Sequence, residues 1–382
     1  MLDFELTEEQ AALQDTVRKF TRDKITPIAA ECDRDARFPK DVYKSACELG
    51  LVAATIPDAY GGSGLDAVSH ALVCEELSYG CSGIQTSIVA TNLAATPLIV
   101  GGNEAQKKKY LGMITHDAVF ASYATTEPVA GSDVAGLQTR AKKHGSDWVL
   151  DGQKCFITNA SYAQWYVIFA TTDPAKKHKG IMAFIVDRDS PGVSLGKKED
   201  KMGQRASDTA SVILEEVKVP EANVLAGEGD GFKLAMATFD RTRPDIGAAA
   251  CGIMRRALDE CVVYAQERKT FGTAIANHQA IQFMLAEMAM KYEATRLLVH
   301  KAAWMLEKGL PSAQVSAYAK AFGADSCMAV TTDAVQVFGG NGYMREYPVE
   351  KLMRDAKVLQ IYEGTSQIQR IVIARNVLAG RR

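Results

Sequence analysis

The chain has no Cys-x-x-Cys pair and no basic excess. Eight cysteines scattered over 382 residues exclude a zinc-binding ligand set and a disulfide framework, and fit a reducing compartment where cysteine serves as a small core residue. A formal net charge of −2 gives no footprint for nucleic acid or an anionic membrane. The dense basic clusters, Lys107 to Lys109 and Lys176, Lys177, His178, Lys179, read as solvated surface. No stretch reaches about 18 uninterrupted apolar residues, and no basic segment precedes an apolar one near Met1, so neither a membrane span nor a secretory signal is predicted. This start predicts a bacterial cytoplasmic protein, or a mitochondrial matrix one after processing. There is no internal repeat and no low-complexity segment.

What is present is ordinary globular composition, 47% hydrophobic and 24% charged, with length for two or three domains. Thr7 and Gln10 form a capping-box pattern, and Leu13, Val17 and Phe20 then recur at helical spacing toward Ile25 and Ile28. Further helices are predicted from Lys40 to a stop at Gly50, from Ala67, from Gly83 and after Asn103. From Ala118 the period becomes alternating: Val119 to Thr126, Trp148 to Thr158, Trp165 to Thr172, Ile181 to Asp187 and Ser211 to Val219 read as strands. After Gly229-Asp-Gly231, long helices return at Phe232 to Glu267, Gln279 to Lys308, Ser312 to Val337 and Ser366 to Leu378, and Pro244 is expected to kink the first or mark its functional face. The expected organisation is α+β: a helical domain over 1–117, a β domain over 118–230 and a second helical domain over 231–382.

One acid stands apart. Glu363, between Tyr362 and Gly364, precedes the last helix. A carboxylate kept from water there has its charged form disfavoured, which moves it toward the range of a general base. Gly364 permits close backbone approach, and Thr365 and Ser366 offer hydroxyls and free amides at a helix start. An exposed glutamate before a capped helix fits the same letters.

Six segments, in order, carry a resemblance: Tyr123 to Asp133 (YATTEPVAGSD), Phe156 to Asn159 (FITN), Met202 to Arg205 (MGQR), Glu267 to Gly272 (ERKTFG), Val337 to Gly342 (VFGGNG) and Ile361 to Arg370 (IYEGTSQIQR). With them the chain resembles the acyl-CoA dehydrogenases from Thr7 to Leu378, most closely the medium-chain, straight-chain branch. The resemblance implies an N-terminal helical domain, a central β domain of orthogonal sheets or a barrel and a C-terminal four-helix bundle, in a homotetramer with one FAD per subunit. It implies α,β-dehydrogenation of an acyl-CoA thioester, with electrons passed to an electron-transferring flavoprotein. Such a reaction needs a base for the α-proton and an acceptor for hydride that no side chain can be. By resemblance Glu363 is that base, and its own amide helps polarise the thioester carbonyl.

The resemblance also assigns cofactor contacts. Tyr123, Thr126 and Ser132 belong to a loop at the flavin, Thr158 to a place beside the flavin N5 atom, and Phe156 stands where a tryptophan is common. Val129 stands where a glycine is usual. Arg268, Thr270 and Phe271, with Gln336 and Gly340, are expected to reach the FAD of a neighbouring subunit, while Thr365 and Gln367 contact FAD in the same chain as Glu363. Read alone, the first loop is a glycine-rich β-turn and Arg268 a helix-end charge. On the substrate side the resemblance implies Ser132, Asp240, Arg243, Tyr362 and Gly364, with Gln85, Thr86 and Val89 closing the acyl pocket. Asp240 and Arg243, three apart on a helix, also fit a surface ion pair. Thr242 occupies the place of the catalytic acid in the isovaleryl and long-chain branches and cannot replace it. Val89 stands where the medium-chain relative has glutamate, so the pocket floor is expected to admit a longer, branched or alicyclic acyl group. Leu51 matches a leucine that docks the flavoprotein partner and equally fits an ordinary helix-end residue. Rivals are an oxidase that uses oxygen, whose nitroalkane-oxidising members carry an aspartate base, and a non-catalytic tetrameric scaffold.

Overall fold

The computed structural model describes residues 5–380; the first four and last two residues of the outer domains lie outside them. The longer helices are α1 (Glu8–Phe20), α2 (Lys40–Glu48), α3 (Ala67–Gly80), α4 (Ser82–Gly101), α5 (Asp230–Glu267), α6 (Gln279–Glu307), α7 (Ala313–Phe338), α8 (Val349–Lys357) and α9 (Ser366–Ala379). Thr7 and Gln10 close the capping box at α1, after which the chain unwinds into π and 3-10 turns, Thr21–Ile25 and Thr26–Ile28, in place of continuing α-helix. Helices α3 and α4 have little amphipathic contrast because nearly every side is covered. Ser82–Gly101 is long and apolar enough to cross a membrane, yet 72% of it is buried in the protein, which makes it a core helix. Helix α5 runs through Pro244 without interruption.

Between the helical parts lie strands β1 (Phe120–Ala124), β2 (Arg140–His144), β3 (Asp147–Thr158), β4 (Ala163–Thr171), β5 (Ile181–Asp187), β6 (Val193–Lys198), β7 (Thr209–Val219) and β8 (Val224–Ala226). They form one mixed eight-stranded path, β6-β7-β3-β2-β4-β5-β8, with β1 parallel to β4. The two halves join at one residue pair, Arg140 with Thr171, and Leu150, Ile157, Tyr166, Ile168, Phe184, Val212 and Leu214 fill a shared core. The expected strands all form within a few residues. Strands β2, β6 and β8 were not expected. Only one residue of Arg140–His144 is buried, and Val193–Lys198 has no fully buried position, so neither shows the alternation that marks a strand.

Helices α5, α6, α7 and α8 pack around a second core containing Cys251, Met254, Val299, Cys327 and Leu352, and α9 lies against α7. Helices α3 and α4 lie against α5. The start of α9 is thereby brought over the middle of α5, opposite the first residues of α4.

Candidate active site

Glu363 lies in the turn between Val358–Gln360 and α9. Its backbone is left-handed, φ +54°, and so is that of Gly364, φ +85°. For glutamate this conformation costs about 1–2 kcal/mol. Three bonds hold it: the Gln369 side-chain amide donates to the carbonyls of Glu363 and Gly364, both at 3.0 Å, and Lys320 Nζ donates to the Gly364 carbonyl at 2.6 Å. A Cβ on Gly364 would sit 2.6 Å from Gln369 Nε2, so glycine is required by space as well as by φ. Thr365 caps α9 by accepting from Ile368 N at 3.1 Å. The Glu363 amide donates to no group among the described residues.

The turn directs the carboxylate onto α5, where Thr242 Oγ1 donates to Glu363 Oε2 at 3.0 Å. Burial pushes its pKa up to about 7; the Thr242 hydrogen bond, Arg243 and Lys320 act to lower it, and Asp245 acts to raise it. Lys320, fully buried on α7, is itself pushed down to about 8 by burial, against the pull of Glu363. Arg243 is 5% exposed and bonds Asp240 at 2.5 Å, whose side chain is 35% exposed, so the pair runs from the interior to a half-buried carboxylate. The Tyr123 ring packs on Phe169 and Phe239. Burial raises the Tyr123 pKa and the charge of Glu363 adds to it, which places Tyr123 at the base.

Tyr362 is tied to the proposed acyl pocket through Gln204, a residue of the MGQR segment to which no role had been attached. Gln204 Nε2 donates to Tyr362 Oη at 3.2 Å and to Ser82 Oγ at 2.8 Å, and its Oε1 accepts from Thr86 Oγ1 at 3.1 Å. Thr86 Oγ1 also lies 3.4 Å from Gln85 Oε1. Val89, one turn on, packs against the same core as Tyr362. The structure thus links Thr86 through Gln204 to Tyr362, next to Glu363 in the chain, and sets Arg243, bonded to Asp240, near the same acid.

A second group lies on the β domain. Thr126 O accepts from Cys155 N at 2.9 Å, and Ser122 Oγ donates to Thr158 O at 2.7 Å, so the Thr126 loop and the end of β3 are fixed side by side. Beneath them a buried pair, Lys154 Nζ to Glu127 Oε1 at 2.6 Å, ties the loop: Lys154 also donates to Thr125 O at 3.2 Å, and Glu127 accepts from the amides of Gln138 at 2.5 Å and Thr139 at 3.0 Å. Phe156 is left-handed, φ +59°, and 63% exposed. Val129 is absent from the residues with positive φ, so its backbone has no need of the usual glycine. Ser132 is exposed. An aromatic face held open beside the buried hydroxyls of Tyr123 and Thr125, which face each other, fits a flat heteroaromatic ring with polar edges, as FAD presents.

The remaining expected contacts lie elsewhere. Arg268 caps α5 seven turns beyond Arg243, about 37 Å at the α-helical rise. It opens a short hairpin, β9 (Lys269–Thr270) and β10 (Thr273–Ala274), in which Thr270 Oγ1 lies 3.0 Å from His278 Nε2 and Phe271 is 98% exposed. Gln336 and Gly340, at the end of α7, join this region through Phe338 stacked on Tyr264 at 4.0 Å and Asn341 bonded to Tyr264 Oη at 2.9 Å. These five residues share no cavity with Glu363 of the same chain. Thr365 and Gln367 line a pocket at the head of α9 with Asp325, Lys357, Gln360 and Arg370. Leu51 is 3% exposed and belongs to the N-terminal core; its side chain is packing, and the docking assignment is set aside. Sequence reasoning missed Lys320 and Gln204. A lone lysine among Ala317, Ala319, Ala321 and Ala324, all buried, was a signal for the first; Gln204 had none.

Profiles of the acyl-CoA dehydrogenase N-terminal, middle and C-terminal domains match residues 7–117, 122–217 and 229–378. The chain is 46% identical over 380 residues, 99% of its length and 92% of the relative's, to a probable medium-chain specific acyl-CoA dehydrogenase 2, mitochondrial, of Caenorhabditis briggsae. It superposes on butyryl-CoA dehydrogenase from Megasphaera elsdenii with a TM-score of 0.96 at 41% identity, covering 99% of this chain and 100% of that one. A chain solved in work on the electron transferring flavoprotein of Acidaminococcus fermentans gives the same score at 43% identity, with 99% and 100% covered. The chain therefore belongs to the acyl-CoA dehydrogenase family and is an FAD-dependent oxidoreductase.

Proposed function

We propose that the chain oxidises an acyl-CoA thioester between Cα and Cβ, with Glu363 removing the α-proton. The observation that carries this is a buried carboxylate, fixed by Thr242, pushed up to about 7 by burial and set in the same turn as its own undonated amide. Such an acid is ionised often enough to take a proton and protonated often enough to return one near neutral pH. The free amide suits a thioester carbonyl oxygen as negative charge develops on it, and Arg243 and Lys320 add positive charge nearby. FAD, when bound, supplies the two-electron acceptor that no side chain provides; Tyr123, Thr126, Phe156 and Thr158 would hold its ring system, and Thr365 and Gln367 its remaining parts. Gln85, Thr86, Val89 and Tyr362 would line the acyl chain. The apolar Val89 favours a longer, branched or alicyclic acyl group; rates across thioesters of about C4 to C16 and cyclohexanecarboxyl-CoA test this, and a strict C4 preference sinks it.

The working unit we assign is a homotetramer in which Arg268, Thr270, Phe271, Gln336 and Gly340 close a neighbour's cofactor site. Supporting it, α6 carries Phe283, Met290, Leu297 and Trp304 at seven-residue spacing, 60%, 64%, 46% and 49% exposed, an apolar stripe that a second copy would cover. Eight free cysteines suit the bacterial cytoplasm or a mitochondrial matrix, and an electron-transferring flavoprotein is the acceptor we assign. The deciding experiment is anaerobic titration with acyl-CoA thioesters. Bleaching of the flavin that disappears in Glu363→Gln is expected, and bleaching that survives this change refutes the assignment.

A further inference from the structure

His70 on α3 and Asp245 on α5 form a buried pair, Nδ1 to Oδ1 3.2 Å, with the two residues 3% and 9% exposed. Cys74, one turn along α3, lies 3.9 Å from the other ring nitrogen. Since the two nitrogens face different partners, the trio is a chain through the imidazole, not a convergent chelate. Asp245 is one turn on from Thr242 and shares its face of α5, the face whose hydroxyl holds Glu363 at 3.0 Å. Taking Glu363 as the base, we propose that the His70–Asp245 pair is a positioning pair for it, whose charge balance sets how readily Glu363 exchanges its proton.

The physical case is one of competing signs. Asp245 opposes a second negative charge on Glu363. An aspartate unpaired at this depth would oppose it more strongly, because neither water nor salt screens the two. His70 supplies the compensation: its Nδ1 lies 3.2 Å from the carboxylate, and the Asp245 charge works against burial to hold the imidazole in its protonated form. The other charged or titratable groups facing Glu363 are Arg243 on α5, Lys320 on α7 and Tyr123 on β1, with Tyr362 beside it in the chain. Around His70 the corresponding groups are Cys74 and Asp245. Glu75, on the same helix, is turned to Arg255, Arg296 and Tyr292 instead. No other described contact of the pair assigns it a different task.

The test uses holoenzyme with Asp245→Asn, His70→Gln and the double variant, all close in shape to the native side chains. Anaerobic flavin bleaching by butyryl-CoA is timed from about pH 5 to pH 9, and the resting flavin absorbance is titrated over the same range as a substrate-free readout. Asp245→Asn is expected to move the acid limb down by about half to one pH unit, and His70→Gln to move it up by a similar amount, with the double variant near Asp245→Asn. A purely structural pair would slow both variants without opposite shifts. Limbs that stay put, or that move in the same direction, overturn the proposal. If His70→Gln fails to retain FAD, Asp245→Asn decides alone: a limb unmoved or moved upward overturns it. Glu363→Gln run alongside separates the two failures, since bleaching retained there refutes the base itself.

Discussion

Replacing Glu363 by glutamine should make the protein more stable, and only above a defined pH. The folded chain holds this acid at about 7 against an ordinary 4.5, because burial removes the water that would solvate its charge. At about 1.4 kcal/mol per unit, that difference is worth about 3 kcal/mol. A raised pKa means the native state prefers the protonated form. The cost is therefore absent below about 4.5, grows as pH rises and is complete above about 7. Glutamine keeps an oxygen to accept from Thr242 and carries no charge to desolvate. Glu363→Gln is thus expected to melt with the wild type near pH 4.5 and to gain about 6–12 °C near pH 8, taking 2–4 °C per kcal/mol for a cooperative unit of about 150 residues. Melting of the FAD-loaded protein at both pH values, followed by near-UV dichroism, checks this. An equal gain at both values, or none at either, would show that the carboxylate is solvated and that the argument for a poised base is wrong. The same variant is expected to lose flavin bleaching, so the energy stored in this residue is the cost of its chemistry.

Lys320→Met removes a buried cation that favours the Glu363 carboxylate and donates to the Gly364 carbonyl; the acid limb of bleaching should rise by about half to one pH unit, with recovery at high pH, whereas Lys320→Arg should hold the limb in place. A uniform slowing at all pH values would contradict this. Lys154→Met leaves Glu127 buried with two backbone donors and should destabilise the β domain by about 3–5 kcal/mol and weaken FAD retention; unfolding in urea and FAD titration measure the two. Phe271→Ala, at a side chain 98% exposed, should leave the stability of the isolated chain within about 0.5 kcal/mol while weakening FAD binding, read by cofactor titration alongside light scattering of the assembly.

How far the sequence went depends on which signals are local. Alternation located β3, β4, β5 and β7, and caps located α1 and α9, because these depend on neighbours a few residues apart. Short polar strands such as Arg140–His144 bury one residue and leave no period to read. Glu363 was legible from its own neighbours and from the segments that accompany it, as were Thr126, Thr158 and Arg243.

The sequence by itself determined the helix, sheet and helix order and singled out Glu363 as the candidate acid, since each follows from short-range spacing or a contiguous motif. Only the tertiary structure decided what surrounds that acid. Lys320, Gln204, His70 and Asp245 lie 43, 159, 293 and 118 residues from Glu363, and the hydrogen bonds, charge and desolvation that connect them to its surroundings exist only once helices and sheet pack and exclude water. The same packing buried Leu51, kept Arg268 and Phe271 far from the base of their own chain, and turned an ordinary glutamate into one poised near neutral pH.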